Sequence, residues 1–201
     1  MKGNLIVLVG PSGSGKGTVL KEFLKESNNT FLSVSATTRA PREGEENGVH
    51  YHFISKEKFM QNISNNMMLE YATYCDNMYG TPKQAVDDHI NNGENVILEI
   101  EMQGAKQIKD MYADAILVFI IPPNLKVLKE RLVGRGTESV EVIEKRMNTA
   151  LKELEFFNKC DYVIINDIVE NAVSDLKSIV KANSLKTKNM NEFIEGVILN
   201  A

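Results

Sequence analysis

Residues 4–9 (NLIVLV) form an unbroken apolar run that stops at Gly10-Pro11 and passes through a glycine-rich loop into an amphipathic pattern. A strand without a polar side has to be buried on both faces, as in a parallel sheet covered by helices. Runs of the same kind return at 31–35 (FLSVS), 95–100 (NVILEI), 115–121 (AILVFII) and 162–165 (YVII). Helical patterns lie between and after them. One is 19–25, with Val19, Leu20, Phe23 and Leu24 on one face; others are 102–112, 125–133 after the N-cap candidate Asn124, 139–158 and about 168–183. The alternation predicts an α/β fold: βαβ units building a central parallel five-stranded sheet with helices on both faces. Two stretches interrupt it. Residues 36–92 hold a polar loop (36–48), strand patterns at 50–54 and 69–74, and helices at 56–65 and 82–92, which predicts an inserted mixed α/β lobe. Residues 134–140 form a Gly/Arg loop. Ligands of open α/β sheets bind beyond the carboxyl ends of the strands, and both interruptions are expected over that edge.

Composition narrows the function classes. The 201 residues fit one domain, and 43% apolar residues exclude disorder throughout. A net charge of −4, from 23 basic and 27 acidic residues, argues against a nucleic-acid coat held by bulk positive charge. No apolar run approaches the ~20 residues that span a bilayer, and the N-terminus does not read as a secretory signal. Cys75 and Cys160 stand far apart without a CxxC pair, so they are read as reduced thiols and the chain as cytoplasmic. His50, His52 and His89 show no metal-ligand spacing.

Residues 10–18 read GPSGSGKGT, and Gly10, Gly15 and Lys16 occupy the fixed positions of a phosphate loop, G-x-x-x-x-G-K-[ST]. The flanking strand and helix are the context such a loop requires. Its glycines let successive N–H groups turn toward an anion, and the helix N-terminus adds partial positive charge. The candidate ATP-binding set is Gly10, Pro11, Ser12, Gly13, Ser14, Gly15, Lys16, Gly17 and Thr18. Gly17 stands where a hydroxyl residue usually touches Mg2+, so that hydroxyl moves to Thr18. The loop alone fits GTPases, ATPases and small-molecule kinases alike.

Arginine use is sharper. The five arginines, Arg39, Arg42, Arg131, Arg135 and Arg146, fall in two short regions, although lysine is the common cation of this chain. Guanidinium groups bind phosphate bidentately. The first region sits in SVSATTRAPREGEENGVHYHF (33–53), which closely resembles the GMP-binding signature of guanylate kinases, S-x-T-T-R-x-P-R-x-G-E-x-x-G-x-x-Y-x-F. The resemblance continues through Leu69-Glu70-Tyr71-Ala72, Tyr79-Gly80-Thr81, Glu99-Ile100-Glu101, Gln103-Gly104-Ala105, RLVGRG (131–136) and Asn166-Asp167, covering about residues 4–183.

The resemblance implies a P-loop nucleoside monophosphate kinase fold and the reaction ATP + GMP ⇌ ADP + GDP with Mg2+. It implies a core (1–35 and 93–201), a GMP-binding lobe (36–92) and a lid (134–146). Arg39, Arg42, Tyr51 and Tyr79 are implied for the GMP phosphate, with Glu45 supporting the arginines. Glu70, Ser35 and Thr81 are implied for guanine, whose N1–H and N2–H₂ donors match one carboxylate. Glu99 and Glu101 are implied at the acceptor or metal-water site; both are Asp in many family members. Mg2+ is expected on ATP phosphates and water near Thr18 and Glu99. Lys16, Arg39, Arg131, Arg135 and Arg146 are implied to stabilise the transferring phosphoryl group, and Asn166 to touch adenine. The residues by themselves also allow plainer readings: Tyr51 and Tyr79 as half-buried aromatics, Glu45 and Glu70 as exposed carboxylates, Arg146 in a solvated pair with Glu144. Two rivals are a kinase for another acceptor such as AMP, and a phosphopeptide-binding module derived from the fold. The tail 184–201 is amphipathic and fits docking on its own domain or on another subunit, so monomer and homo-oligomer both stay open.

Overall fold

The apolar runs become neighbouring strands of one sheet. The computed structural model describes residues 2–74, 76–133 and 140–199. In chain order, β1 (Leu5–Val9) leads to α1 (Lys16–Lys25) and β2 (Thr30–Leu32). Next come β3 (Ala36–Thr37), β4 (His52–Phe53), α2 (Lys56–Ser64), β5 (Met68–Tyr74), β6 (Asn77–Pro82) and α3 (Lys83–Asn91). Then follow β7 (Asn95–Glu99), α4 (Met102–Met111), β8 (Ile116–Ile121), α5 (Leu125–Val133) and α6 (Val140–Leu154). A 3₁₀ turn (Glu155–Lys159), β9 (Tyr162–Ile165), α7 (Val169–Ser184) and α8 (Thr187–Leu199) complete the order.

Five strands pair in parallel in the order β2-β7-β1-β8-β9. Alternate residues of β1 serve opposite faces, as the pleat requires. Ile6 and Leu8 pack with Val19, Leu20 and Phe23 of α1 and Leu176 of α7. Leu5, Val7 and Val9 pack with Val86 of α3 and Ala105 and Ile108 of α4. The buried residues of β1, β7 and β8 thus make two apolar layers, and each fully buried aliphatic side chain contributes on the order of 2 kcal/mol. Asn124 Oδ1 accepts from Val127 N at 2.9 Å, the capping its position predicts for α5.

Residues 36–82 form the inserted lobe as a separate mixed sheet, β4-β3-β6-β5, in which β3 and β4 run parallel and β6 is antiparallel to both its neighbours. The strand β6 (NMYGTP) was not expected from the sequence, because Gly80 and Pro82 are strand breakers. Here Pro82 ends the strand and serves as N-cap of α3. Two further differences are local: the helix expected over 139–158 ends at Leu154 in a 3₁₀ turn, and the tail forms α8. Among the described residues, no helix is long and apolar enough to cross a membrane.

Candidate functional site

The phosphate loop leaves β1 at the carboxyl edge of the parallel sheet. A Cβ on Gly10 would lie 2.1 Å from the Ile120 carbonyl oxygen, so only glycine lets the loop turn this close to β8. Gly15 caps α1 in a left-handed conformation (φ 87°), which favours glycine and curls the loop over the helix start. Lys16 Nζ donates to the Gly10 and Pro11 carbonyls at 2.5 and 3.3 Å. The back of the loop is held from two other elements. Asn166 Nδ2 and Arg131 Nη1 donate to the Ser14 carbonyl at 2.8 and 3.3 Å, and Arg131 Nη2 donates to the Asn166 carbonyl at 3.0 Å. Asn166 Oδ1 and Ser14 Oγ are buried without a protein hydrogen-bond partner.

Helix α6 reaches the same loop. Arg146 Nη2 donates to Ser12 Oγ at 2.7 Å. Glu153, two turns later on the same face, stands near the Ser12 backbone N–H. Its carboxyl is raised by burial and by Glu101, against the pull of Lys16 and of that N–H. Sequence reasoning missed Glu153. Its seven-residue spacing from Arg146 puts the two on one helix face, the only signal that would have pointed to it.

Across the cleft, Glu99 ends β7 and faces the loop: its carboxylate oxygens stand 3.9–4.0 Å from where a Cβ on Gly17 would be. It keeps solvent access, yet the surrounding walls raise its carboxyl, with Lys16 lowering it and Glu101 adding to the rise. Glu101 is exposed at the N-cap of α4. Thr18 is exposed on the first turn of α1. Among the described residues no three acidic, His or Cys side chains are grouped to cage a metal. A Mg2+ ion held mainly by substrate phosphates and water needs only one or two protein oxygens, and Glu99 and Thr18 fit that need.

The inserted sheet gathers a second cluster. Glu45 accepts both Arg39 guanidinium nitrogens, at 2.9 and 3.0 Å, and the Arg42 backbone N–H at 2.7 Å. These contacts hold its carboxyl down at about 2, the Arg39 pairing first. The Arg39 guanidinium lies 5.5 Å from the Tyr51 ring centroid, and Tyr51 meets Tyr79 edge-on at 6.0 Å. Burial raises the Tyr51 hydroxyl, and Tyr79 and Glu99 act in the same direction, so this cluster faces the core carboxylate.

Behind it sits a buried pair. Thr81 is fully buried, and its Oγ1 donates to Glu70 Oε1 at 2.7 Å. Glu70 is 3% exposed, and burial raises its carboxyl to about 7 against the two Thr81 hydrogen bonds. Ser35 stands half-buried at the entrance to the lobe, its carbonyl accepting from His52 N at 2.8 Å. Of the residues singled out from sequence, Arg135 with Gly134 and Gly136 lies outside the described residues, as does Cys75. Lys16 and Arg146 sit at the phosphate loop, and Arg39 and Arg42 on the inserted lobe. Glu99 stands within electrostatic reach of both groups, acted on by Lys16 of the loop and acting on Tyr51 of the lobe.

Comparison with known proteins gives consistent results. A family model described as guanylate kinase matches residues 2–183. A guanylate kinase of Listeria monocytogenes serotype 4b is 50% identical over 188 residues, 93% of this chain and 92% of the relative. One from Clostridioides difficile is 48% identical over 193 residues, 96% and 94% of the two chains. The crystal structure of guanylate kinase from Anaplasma phagocytophilum superposes with a TM-score of 0.80 at 30% identity, covering 97% of this chain and 95% of that one.

Proposed function

The chain belongs to the guanylate kinase family, whose activity it carries, the transfer of the γ-phosphoryl group of ATP to GMP, and we propose how its residues divide that work. The phosphate loop, Gly10 to Thr18, takes the ATP phosphates, with Lys16 leaving the Gly10 and Pro11 carbonyls for them. Asn166 acts on the donor side through the loop it braces. Arg39, Arg42, Tyr51 and Tyr79 take the GMP phosphate, and Glu45 presents Arg39 in a fixed plane. Glu70, Thr81 and Ser35 read guanine. Glu99 and Glu101 stand between donor and acceptor. The observation that supports this division is the separation of the cations into two groups, Lys16 and Arg146 at the phosphate loop and Arg39 and Arg42 on the lobe that also carries the buried Glu70–Thr81 pair.

The attacking group is an oxygen of the GMP phosphate, ionised near neutral pH because a phosphate monoester's second pKa is ~6. The reaction therefore needs no general base from the protein. Lys16, Arg39, Arg131, Arg135 and Arg146 supply positive charge against the negative charge spread over the three equatorial oxygens, and alignment of the two phosphates supplies the rest. Mg2+, when bound to ATP beside Thr18 and Glu99, would neutralise phosphate charge. The segment 36–92 acts as the acceptor lobe and 134–146 as a lid that excludes water, on a core of 1–35 and 93–201. We place the protein in the cytoplasm, in nucleotide recycling, with ATP and GMP as its partners.

The test is ADP production from MgATP with GMP, dGMP, AMP, UMP and CMP supplied separately, beside Lys16→Ala. Turnover with the guanine nucleotides alone, falling by about 10²–10³ in the variant, is expected. Equal turnover with AMP would overturn the role given to Glu70. Undiminished turnover in the variant would overturn the role given to the loop.

A further inference from the structure

The carboxylate proposed to read guanine belongs to the lobe, yet a helix of the core shapes its pocket. A Cβ built on Gly104 would lie 2.1 Å from Glu70 Oε2 and 2.7 Å from its Cδ. Gly104 is buried in the first turn of α4, and it is not one of the glycines with positive φ. Conformational freedom therefore does not account for glycine here, and alanine is the better helix former. What glycine supplies is room. One turn further on, Gln107 Nε2 donates to the Tyr71 carbonyl at 2.8 Å, and its Oε1 accepts from Tyr71 N at 3.2 Å. Since β5 is the outer strand of its sheet, the Gln107 amide takes the place of a missing strand at the residue after Glu70. The positive end of α4 also stands beside the carboxylate, favouring its ionised form.

We infer that Gly104 and Gln107 are positioning residues for base selection: Gln107 clamps the edge of β5 to the core, and Gly104 leaves the space in which the Glu70 carboxylate is held for guanine. The inference rests on the reading of Glu70 given above. It goes further in making selectivity depend on two core residues that lie behind the carboxylate. It also separates selectivity from stability. A methyl group at 104 would meet the far end of a side chain, which can turn aside while the backbone stays in place. The helix is kept and the pocket is lost.

The experiment is steady-state turnover of the full-length protein at saturating MgATP, with GMP and with IMP, which keeps N1–H but lacks the 2-amino group. Wild type, Gly104→Ala, Gln107→Leu and Glu70→Gln are compared, with an unfolding midpoint for each. Gly104→Ala is expected to raise KM for GMP roughly 10–100-fold, the size of one lost charge-assisted hydrogen bond. The preference for GMP over IMP should fall with it, while KM for ATP and the unfolding midpoint hold. Gln107→Leu, which leaves the room but removes the clamp, should move the same two quantities by a smaller factor. If Gly104→Ala keeps the wild-type KM and preference while Glu70→Gln loses both, the inference is wrong and the reading of Glu70 stands. If Glu70→Gln itself keeps both, that reading fails and this one falls with it. Should Gly104→Ala not fold, unchanged preference in Gln107→Leu is enough to overturn the proposal.

Discussion

Replacing Glu70 by glutamine should make the folded protein more stable above neutral pH while impairing its handling of GMP. The magnitude follows from the burial of the side chain. With 3% of its surface exposed, the carboxyl is lifted by burial to about 7 from an ordinary value of 4.5, although two Thr81 hydrogen bonds pull it back. Below 4.5 both folded and unfolded states hold the proton, and the group contributes nothing to the pH dependence. Between 4.5 and 7 the unfolded chain releases its proton and the folded one keeps it. The folded state then binds more protons, and stability falls as pH rises, levelling off above 7. The full displacement corresponds to about 3 kcal/mol. Glutamine has the same shape, keeps an oxygen for Thr81 Oγ1 and does not ionise. Urea unfolding of both proteins between pH 4.5 and 8.5 measures the effect. The variant should match wild type at the acid end and exceed it by roughly 2–3 kcal/mol above pH 7.5. A difference that does not vary with pH would refute burial as its source. The same carboxyl has to be ionised to accept from guanine. Below pH 7 the affinity for GMP should therefore drop by about tenfold per pH unit in wild type, beyond what the GMP phosphate itself contributes. The variant should lack that extra slope.

Two further substitutions test the supports of the cations. Glu45→Ala releases the Arg39 guanidinium from its planar pairing, and KM for GMP should rise by about tenfold with kcat little changed. Because the Glu45 carboxyl is held at about 2, its pairing is complete above 4.5 and is lost only as pH falls toward that value, so the defect should be constant from pH 5 to 8. Steady-state kinetics over that range would show it. Asn166→Ala takes one of two hydrogen bonds from the Ser14 carbonyl behind the phosphate loop, the Arg131 one remaining, which should cost about 0.5–1.5 kcal/mol in urea unfolding and raise KM for ATP rather than for GMP.

The parallel sheet was legible because its strands are buried on both faces and therefore apolar without interruption; β1 and β8 read directly as NLIVLV and AILVFII. The inserted sheet was only half legible. β4 falls inside the strand pattern at 50–54, but the two-residue β3 is too short to show a period, and β6 pairs despite Gly80 and Pro82 because β3 and β5 flank it on both sides. The phosphate loop could be read locally, since its function is a property of consecutive backbone groups. Glu70 could not. Alternation in LEYATY suggests a solvent-facing carboxylate, and what buries it is a glycine 34 positions later, on another element. Arg131 and Arg146 were identified as a cluster, but which atoms they reach depends on how α5 and α6 pack beside the loop. Arg131 reaches the carbonyls of Ser14 and Asn166, and Arg146 reaches the Ser12 hydroxyl.

The contacts of two cations set different demands on the two substrates. Lys16 donates to the Gly10 and Pro11 carbonyls, and Arg39 pairs in a plane with the Glu45 carboxylate. A phosphate oxygen that replaces a carbonyl at Lys16 exchanges a neutral acceptor for a charged one, and such bonds are roughly twice as strong. At Arg39 a phosphate meets a guanidinium whose plane Glu45 already fixes. That division suits the two substrates. The acceptor phosphate has to be aligned, whereas the transferring group has to be stabilised as its charge spreads. The orientation of Arg39 and the charge of Lys16 are therefore separate contributions, and the Glu45→Ala and Lys16→Ala variants should divide along that line, the first in KM for GMP and the second in kcat.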